Sequence, residues 1–310
     1  MAEWTEKLKV SMGDRFHENA PLGSNTTYRV GGSARGLVKV ANVDELLIVK
    51  KILDDTDGKV AVLVLGNGSN MLVSDRGFDG LVIKLNGSFE QLAILSDGWV
   101  QLGAASLLPV AARKLVRAGL SGFEWAVGVP GSFGGAVRMN AGGHGSEIAN
   151  TLFNVTVLDL WGNSTPKTVS AEELDLRYRH SSISDHEIVL EGKMRLVCVP
   201  DVDLLKGRIS DIVKWRREHQ PGGQNAGSVF VNPKNGKRAA ELIQELGLKG
   251  LRIGSAQVSM KHANFIQCDE GGRADDVYRL MVDVKKRVRE SFGVELRSEI
   301  RLIGFGEDSL

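Results

Sequence analysis

The stretch VGVPGSFGGAVRMNAGG, from Val127 to Gly143, holds six glycines, one proline and a single charged residue, Arg138, in seventeen residues. Glycine loses more conformational entropy on folding than any other residue, so a cluster of glycines needs a structural reason. One reason is a series of tight turns. Another is a phosphate-bearing cofactor that lies directly against the backbone. This stretch by itself is compatible with both interpretations.

A second glycine-rich loop favours the cofactor. GNGSN, from Gly66 to Asn70, directly follows VAVLVL, an apolar run that predicts a buried strand. It lacks the third glycine and the following helix of a Rossmann fingerprint, and a hairpin turn is the alternative. Backbone N–H groups in such a loop can hold an anion, and Ser69 and Asn70 add donors. Because Arg138 is the only Lys or Arg in either loop, neutral donors fit a pyrophosphate threaded between the loops.

The composition argues against several functional classes. The chain has 310 residues, 25% charged and 42% apolar, with a net charge of +1, which is ordinary for a globular protein. Nucleic acid and membrane surfaces are therefore poor partners. We expect neither a signal peptide nor a membrane-spanning helix, because the N-terminal region is charged and no apolar run reaches eighteen residues. Cys198 and Cys268 each lie in an apolar run, which predicts two buried thiols in a cytoplasmic protein, with no disulfide and no metal site.

Patterns typical of short strands alternate along the chain with patterns typical of medium-length helices. The periodicity predicts helices after Asn42, from Asp203 to His219 with Trp215 turned inward, and over RADDVYRLMVDVKKRVRESFG. TTYRV, after Asn25, has the composition of a strand. The predicted domains are residues 1–84, 85–203 and 204–295, and the C-terminal strand in 296–310 is a candidate for return to the first domain.

Six motifs in order resemble those of UDP-N-acetylenolpyruvoylglucosamine reductases. They are LGNGSNMLVSDRGFDG, GLSGFEWAVGVPGSFGGAVRMNAGGHGSEI, YRHS, NAGSVFVNP, KHANFI and SEIRLIG. The match in order and approximate spacing runs from about Asn25 to Gly304. The resemblance implies a vanillyl-alcohol-oxidase-type fold, in which two α+β domains enclose FAD and a third domain covers the substrate. It also implies NADPH-driven reduction of the enolpyruvyl ether of UDP-N-acetylglucosamine enolpyruvate to UDP-N-acetylmuramate, for peptidoglycan, by a cytoplasmic monomer.

The resemblance assigns roles to individual residues. The residues expected around a non-covalently bound FAD are Gly66, Asn67, Gly68, Ser69, Asn70, Pro130, Gly131, Ser132, Gly134, Gly135, Asn140, Ala141 and Gly142. Arg179 and Glu299 are expected at the substrate carboxylate, and Ser228 is expected to donate a proton. The residues expected to contact the rest of the substrate are Tyr178, Asn232, Lys261 and His262.

Each of the three catalytic candidates also has an ordinary structural interpretation. Arg179 lies in a polar turn, where an arginine is usually a solvated surface charge. Ser228 lies in a Gly-Ser turn, where a serine usually makes a hydrogen bond to the nearby backbone. Glu299 would lie on the exposed face of an edge strand. Arg216, Arg217 and His219 form a basic patch that either faces the substrate diphosphate or ends a solvated helix.

Three positions depart from the pattern of the family. Many members have Lys or Gln where this chain has Val231, Glu where it has Arg297 and Gly where it has Ala105. These differences put the affinity for substrate and the rate in question more than the class of reaction. Two other functions stay open at this point. One is a different FAD-linked dehydrogenase or oxidase of the same fold, and the other is a non-catalytic protein that binds a nucleotide sugar or flavin.

Overall fold

The structure is a computed structural model that describes residues 3–56, 60–234 and 236–306. Short strands alternate with helices along these residues, as the sequence patterns predict, and the fold is of the α+β class that the resemblance implies. The helices are α1 Glu3–Met12, α2 Val43–Asp54, α3 Leu108–Arg117, α4 Phe133–Arg138, α5 Val202–His219, α6 Ala239–Glu245 and α7 Ala274–Phe292. None of the helices in this described part of the chain is both long and apolar enough to cross a membrane.

The strands are short, and several consist of only two residues. The first nine are β1 Phe16–Pro21, β2 Ser33–Val40, β3 Ala61–Leu65, β4 Met71–Val73, β5 Phe78–Leu85, β6 Leu92–Ile94, β7 Trp99–Gly103, β8 Leu120–Ser121 and β9 Gly142–Gly143. The remaining strands are β10 Ser146–Glu147, β11 Leu152–Asp159, β12 Lys167–Ser170, β13 Glu187–Arg195, β14 Val197–Cys198, β15 Arg252–Ile253, β16 Ala256–Val258, β17 Ile266–Cys268 and β18 Arg301–Ile303.

The chain divides into two compact units. Unit 1 comprises Met1–Ala20, Arg35–Asn67 and Gly80–Trp215. It contains a four-stranded sheet in the order β1-β2-β5-β3 and a five-stranded sheet in the order β12-β11-β13-β7-β6. The pairs within the five-stranded sheet are antiparallel. One apolar core runs through the unit and includes side chains of α1, α2, α3 and both sheets.

Local signals explain the helices of unit 1. The Asn42 side chain accepts a hydrogen bond from the Glu45 N–H and caps α2, as an asparagine at this position usually does. The apolar face of α2, which includes Leu46 and Leu53, is buried as the periodicity predicts. The short helix α4 packs on the five-stranded sheet because Gly134 has no side chain, since a Cβ there would lie 2.9 Å from the Ala104 Cβ.

Unit 2 comprises Pro21–Ala34, Gly68–Asp79 and Arg216–Leu310. It contains the antiparallel sheet β15-β16-β17, the parallel pair β18-β4, and the helices α6 and α7. The Asp75 carboxylate accepts hydrogen bonds from the Ala274 and Asp275 N–H groups at 3.0 and 3.2 Å, at the first turn of α7. Gly293 ends α7 in the left-handed conformation, with φ of 67°. The apolar side of α7 forms much of the core of this unit.

Three sequence predictions are wrong. TTYRV is not a strand but an irregular segment, because its backbone and side chains bond to distant parts of unit 2: the Thr27 N–H to the Gly68 carbonyl and the Tyr28 hydroxyl to the Ile266 carbonyl. Trp215 is 42% exposed rather than turned inward, and its ring meets His144 edge-on at 5.0 Å.

Cys198 is exposed, whereas Cys268 is buried as predicted. The apolar run around Cys198 predicts burial, but β14 has only two residues and forms a two-stranded sheet with β8. Both residues of β14 are therefore exposed.

Candidate active site

The two glycine-rich loops meet within unit 1. The Asn67 side-chain amide donates a 2.6 Å hydrogen bond to the Pro130 carbonyl. Gly66 faces Ser132 so closely that a Cβ at position 66 would lie far inside the van der Waals distance of the Ser132 Oγ. The predicted approach of the two loops is therefore confirmed, although they are separated by sixty-three residues. Their contact with a pyrophosphate remains a prediction.

The second loop is partly helical, which its glycine content conceals. Ser132 precedes α4, and its side chain makes no capping hydrogen bond. The Phe133 and Gly134 N–H groups bond to the carbonyls of Ser106 and Ala104 at 2.9 and 2.8 Å. Arg138, at the end of α4, bonds to the carbonyls of Ile183 and Ser184 and pairs with Asp185, so its charge is engaged with protein groups.

The other half of the first loop belongs to unit 2. Gly68 has φ of +62°, and a Cβ there would collide with the Asn25 carbonyl, so this position requires glycine. The Asn70 side-chain amide donates to the Glu299 carbonyl at 3.2 Å, and the Arg301 N–H donates to the Asn70 carbonyl at 3.0 Å. The glycine loop is thus bonded directly to the segment that carries Glu299.

The structure provides features that fit a cofactor along this loop. The Thr27 Oγ1 is buried and has no hydrogen-bond partner among the described residues, while the Thr27 N–H bonds to Gly68 at 3.0 Å. A buried unpaired hydroxyl is costly unless a further group completes it. Beside the Gly68 backbone, this hydroxyl fits the edge of a phosphate-bearing cofactor. The sequence does not single out Thr27, because a threonine in a short polar stretch carries no signal of its own.

Asn140 is fully buried, with φ of 38°. Its amide nitrogen donates to the Arg177 carbonyl, and its amide oxygen accepts from the Ala149 N–H, both at 3.0 Å. The side chain expected near the flavin therefore also holds the backbone of the turn that carries Arg179.

Arg179 lies in a two-residue turn. Arg177 and His180 exchange two backbone hydrogen bonds, of 3.1 and 3.0 Å, which leave Tyr178 and Arg179 at the tip. Arg179 has φ of +55°, a conformation that a residue with a Cβ rarely adopts. Its guanidinium donates to the Gly142 carbonyl at 3.1 Å and lies 5.0 Å from the centre of the Tyr178 ring. Tyr178 is itself 52% exposed.

Ser228 and Glu299 lie on two neighbouring segments of unit 2. The Glu299 N–H donates to the Val229 carbonyl at 2.8 Å, and the Val231 N–H donates to the Arg297 carbonyl at 3.0 Å. Phe230 and Ser298 are thereby paired as an antiparallel bridge. The two departures from the family pattern, Val231 and Arg297, are joined through this backbone bond. Arg179 belongs to unit 1 and is not part of this pairing.

Three of the four substrate candidates, Asn232, Lys261 and His262, lie in unit 2. The Asn232 side chain accepts from the Ala239 N–H at 3.2 Å, at the start of α6. Lys261 donates to the Arg217 carbonyl at 2.7 Å, at the end of α5. The His262 Nδ1 accepts from the Asn264 N–H at 3.2 Å, which leaves Nε2 to carry the proton of the neutral ring.

Two groups near these candidates have altered pKa values because they are partly buried. Burial, with the positive charge of Lys249, lowers the pKa of His262 below 6.5. Burial also lowers the pKa of the Arg216 guanidinium. His262 is therefore neutral at pH 7, so any contact with phosphate is through an N–H donor rather than a full charge.

Comparisons with family models and with known proteins lead to one family over nearly the full length of the chain. A family model described as FAD binding domain matches residues 34–164, and one described as UDP-N-acetylenolpyruvoylglucosamine reductase, C-terminal domain, matches residues 219–303. The UDP-N-acetylenolpyruvoylglucosamine reductase of Paramagnetospirillum magneticum is 37% identical over 309 residues, which is 99% of this chain and 98% of the relative. That of Heliobacterium modesticaldum is 40% identical over 292 residues, 94% of this chain and 91% of the relative.

Solved structures give the same result. The Thermus caldophilus UDP-N-acetylenolpyruvylglucosamine reductase superposes with a TM-score of 0.77 at 36% identity, covering 92% of this chain and 97% of that one. A Phl p 4 variant described as a glucose oxidase shares only the fold, with a TM-score of 0.50 at 13% identity, covering 74% of this chain and 52% of its own. The predicted family, the α+β FAD-binding fold and the cofactor are confirmed. The chain therefore belongs to the UDP-N-acetylenolpyruvoylglucosamine reductase family, whose members are FAD-containing oxidoreductases that use NADPH and act in peptidoglycan synthesis.

Proposed function

We propose that this chain reduces the enolpyruvyl ether of UDP-N-acetylglucosamine enolpyruvate to UDP-N-acetylmuramate, with Arg179, Ser228 and Glu299 as its catalytic residues. The observation that carries the assignment is the backbone pairing of 229–231 with 297–299. It brings the segment that follows Ser228 beside the segment that carries Glu299, although the two residues lie 71 positions apart in the sequence.

The residues proposed to hold FAD are the backbone and small polar groups of the two loops, together with Thr27. These groups belong to Gly66, Asn67 and Gly68 to Asn70 in the first loop and to Pro130 to Ser132 in the second. When bound and reduced by NADPH, FAD supplies the hydride that adds to the β-carbon of the enolpyruvyl group. Neutral donors suit this role because Arg138, the one cation of the loops, already bonds to the 183–185 segment.

Arg179 is proposed to bind the substrate carboxylate and the negative charge that develops there as the hydride arrives. Preorganised donors aimed at developing charge are usually the largest single contribution to catalysis. The left-handed backbone of Arg179 and its bond to the Gly142 carbonyl support this role, because strained conformations concentrate at functional sites. Glu299 is proposed to act on the same carboxylate.

Ser228 is proposed to donate its hydroxyl proton to the α-carbon, which completes the saturated lactyl ether, and to regain a proton from water. A serine hydroxyl is a weak acid, so neighbouring groups must stabilise the brief alkoxide. Tyr178, Asn232, Lys261 and His262 are proposed to contact the nucleotide sugar and its diphosphate, with the neutral His262 as an N–H donor.

We also propose that the protein works as a monomer in the cytoplasm, without nucleic-acid partners, and through peptidoglycan contributes to cell shape and division. Both cysteines are free thiols, which is usual in a reducing compartment.

The Ser228→Ala variant tests the proposal. Flavin reduction by NADPH does not need the hydroxyl, so we expect its rate to stay within about twofold of wild type. Reoxidation of the reduced flavin by UDP-N-acetylglucosamine enolpyruvate should slow by about a hundredfold to ten-thousandfold, the usual contribution of a positioned general acid. Stopped-flow absorbance of the flavin separates the two steps. Normal reoxidation in the variant would show that Ser228 is not the proton donor, and a wild-type protein that never reoxidises with this substrate would refute the proposed function.

A further inference from the structure

Asn264, a residue of the KHANFI motif with no assigned role, is only 3% exposed in the core of unit 2. Its amide oxygen accepts from the Phe230 N–H at 3.0 Å, and its amide nitrogen donates to the Phe230 carbonyl at 2.8 Å. Its own backbone carbonyl accepts from the Val229 N–H at 2.9 Å. One side chain thus makes the two-bond pattern that a neighbouring strand makes in an antiparallel sheet.

These bonds complete the hydrogen bonding of the segment that follows Ser228. The 297–299 segment occupies its other edge, where the Val229 carbonyl and the Val231 N–H bond to Glu299 and Arg297. Five consecutive backbone groups, from the Val229 N–H to the Val231 N–H, are therefore bonded, and Asn264 provides three of the five partners. The bonds also fix the register of this segment against the Glu299 segment.

The chain on the other side of Ser228 is held locally rather than by a distant segment, because the Gly227 N–H donates to the Asn225 side-chain oxygen at 3.0 Å. Gly227 has φ of +79°, and a Cβ there would meet no atom within 4 Å. Glycine adopts many backbone conformations, so the orientation of Ser228 depends on the bonded segment that follows it.

We propose that Asn264 is a positioning residue that fixes the orientation of the Ser228 hydroxyl for proton transfer; this inference rests on the proposed function. The amide is suited to the task because it offers one donor and one acceptor in a fixed plane, which match the N–H and carbonyl of a single residue. A displacement of about 1 Å at a reacting group can cost about a hundredfold in rate.

The first test measures the two flavin steps in the holoenzyme of Asn264→Ala. We expect reoxidation by UDP-N-acetylglucosamine enolpyruvate to slow by about a hundredfold. The rate of flavin reduction by NADPH and the dissociation constant of FAD should change less than about twofold. A general loss of structure would instead impair both steps and FAD binding together, and that result would overturn the proposal.

Asn264→Asp provides a second measurement that does not depend on the stability of the alanine variant. An ionised carboxylate at this position accepts from the Phe230 N–H but repels the Phe230 carbonyl, whereas a protonated carboxyl donates to that carbonyl and restores both bonds. We therefore expect the reoxidation rate of Asn264→Asp, divided by that of wild type, to rise as the pH falls. A ratio that is independent of pH would contradict the proposal.

Asp276→Asn is a matched control in the same unit. Asp276 is buried, accepts from the Ser255 N–H and hydroxyl at 2.9 and 2.8 Å and pairs with Arg279, so these bonds do not involve the 228–231 segment. Its substitution should lower the stability of unit 2 while both flavin steps keep their wild-type rates. If wild type turns over, Ser228→Ala fails in reoxidation, and Asn264→Ala behaves as this control does, then the proposed function stands and the positioning role is refuted.

Discussion

Arg179 carries both a proposed catalytic group and a backbone conformation that is costly for a residue with a Cβ. Its φ of +55° lies in the left-handed region, which costs roughly 1–2 kcal/mol for most residues. A glycine at the same position of the turn would avoid this cost. The strain therefore indicates that the side chain is retained for another reason, and carboxylate binding is such a reason.

Replacing Arg179 by Gly or by Ala separates the two properties. Both variants lack the guanidinium, so both should lose turnover. We expect Arg179→Gly to be about 1 kcal/mol more stable than Arg179→Ala, because glycine relieves the left-handed conformation at a smaller cost in entropy. Denaturation by urea measures the difference.

Tyr178, one residue earlier in the same turn, provides the control. Tyr178 does not have a positive φ. The order of stability of the two variants should therefore reverse, with Tyr178→Gly less stable than Tyr178→Ala by about 0.5–1 kcal/mol. Equal stabilities of the two Arg179 variants would mean that the backbone at 179 is not left-handed in solution.

Buried asparagines hold the segments that carry two of the proposed catalytic residues. Asn140 bonds to the Arg177 carbonyl in the turn of Arg179, and Asn264 bonds to Phe230 beside Ser228. The sequence identifies the motifs that contain both residues, but not what their amides contact. A side chain that bonds to backbone thirty-four or thirty-seven residues away leaves no trace in local periodicity.

The two glycine-rich loops form the element on which the cofactor assignment depends. Position 66 accepts only glycine, because the Ser132 Oγ occupies the space into which a Cβ would point. The contact predicts that Gly66→Ala destabilises the protein by about 1–3 kcal/mol through overpacking. Ser132→Ala should relieve most of this cost, because without the Oγ the nearest Ser132 atom is the Cβ at 3.5 Å.

A double-mutant cycle measures this coupling in unfolding free energy. The double variant should be more stable than the sum of the single effects by at least about 1 kcal/mol. Gly143→Ala is a suitable control glycine, since a Cβ there meets no atom within 4 Å, and Ser132→Ala should not rescue it. Additive effects of Gly66→Ala and Ser132→Ala would mean that the loops are apart.

Elements with strong local signals are predicted well from the sequence. Helices α2 and α7 combine an apolar face with an asparagine cap or a terminal glycine, and these signals lie within a few residues of each other. TTYRV has the composition of a strand but is irregular, because Tyr28 is buried by groups from the far end of the chain and bonds to Ile266. Composition cannot indicate a partner 238 residues away.

At the scale of the whole molecule, unit 2 is assembled from three separate stretches of the chain. The parallel pairing of β18 with β4 joins Arg301–Ile303 to Met71–Val73, and the Asp75 carboxylate caps α7. A sequence read in order suggests contiguous domains, because it contains no signal for contacts between such distant segments. The predicted boundaries at residues 84, 203 and 295 remain predictions.

The stability of the protein should fall in two steps as the pH is lowered. The first step arises from His262, whose pKa in the folded state is below 6.5 because of burial and Lys249. Below pH 6.5 the unfolded chain therefore binds a proton that the folded chain does not, which lowers the free energy of unfolding. The second step arises from carboxylates with lowered pKa values, including Asp276, whose hydrogen bonds from Ser255 outweigh its burial. Their contribution is lost only at more acidic pH, below their unfolded values near 4.

Urea denaturation of wild type and of His262→Gln between pH 8 and pH 5 measures the first step. Above about pH 6.5 the free energy of unfolding of both proteins should be insensitive to the titration of this residue. Between pH 6.5 and pH 5 the wild-type value should fall, whereas that of His262→Gln should fall less, because glutamine does not titrate. Parallel curves for the two proteins over this range would show that His262 titrates alike in the folded and unfolded chain. Its imidazole would then be as accessible to water as in a peptide, and the role of a neutral N–H donor to the substrate diphosphate would have to be abandoned.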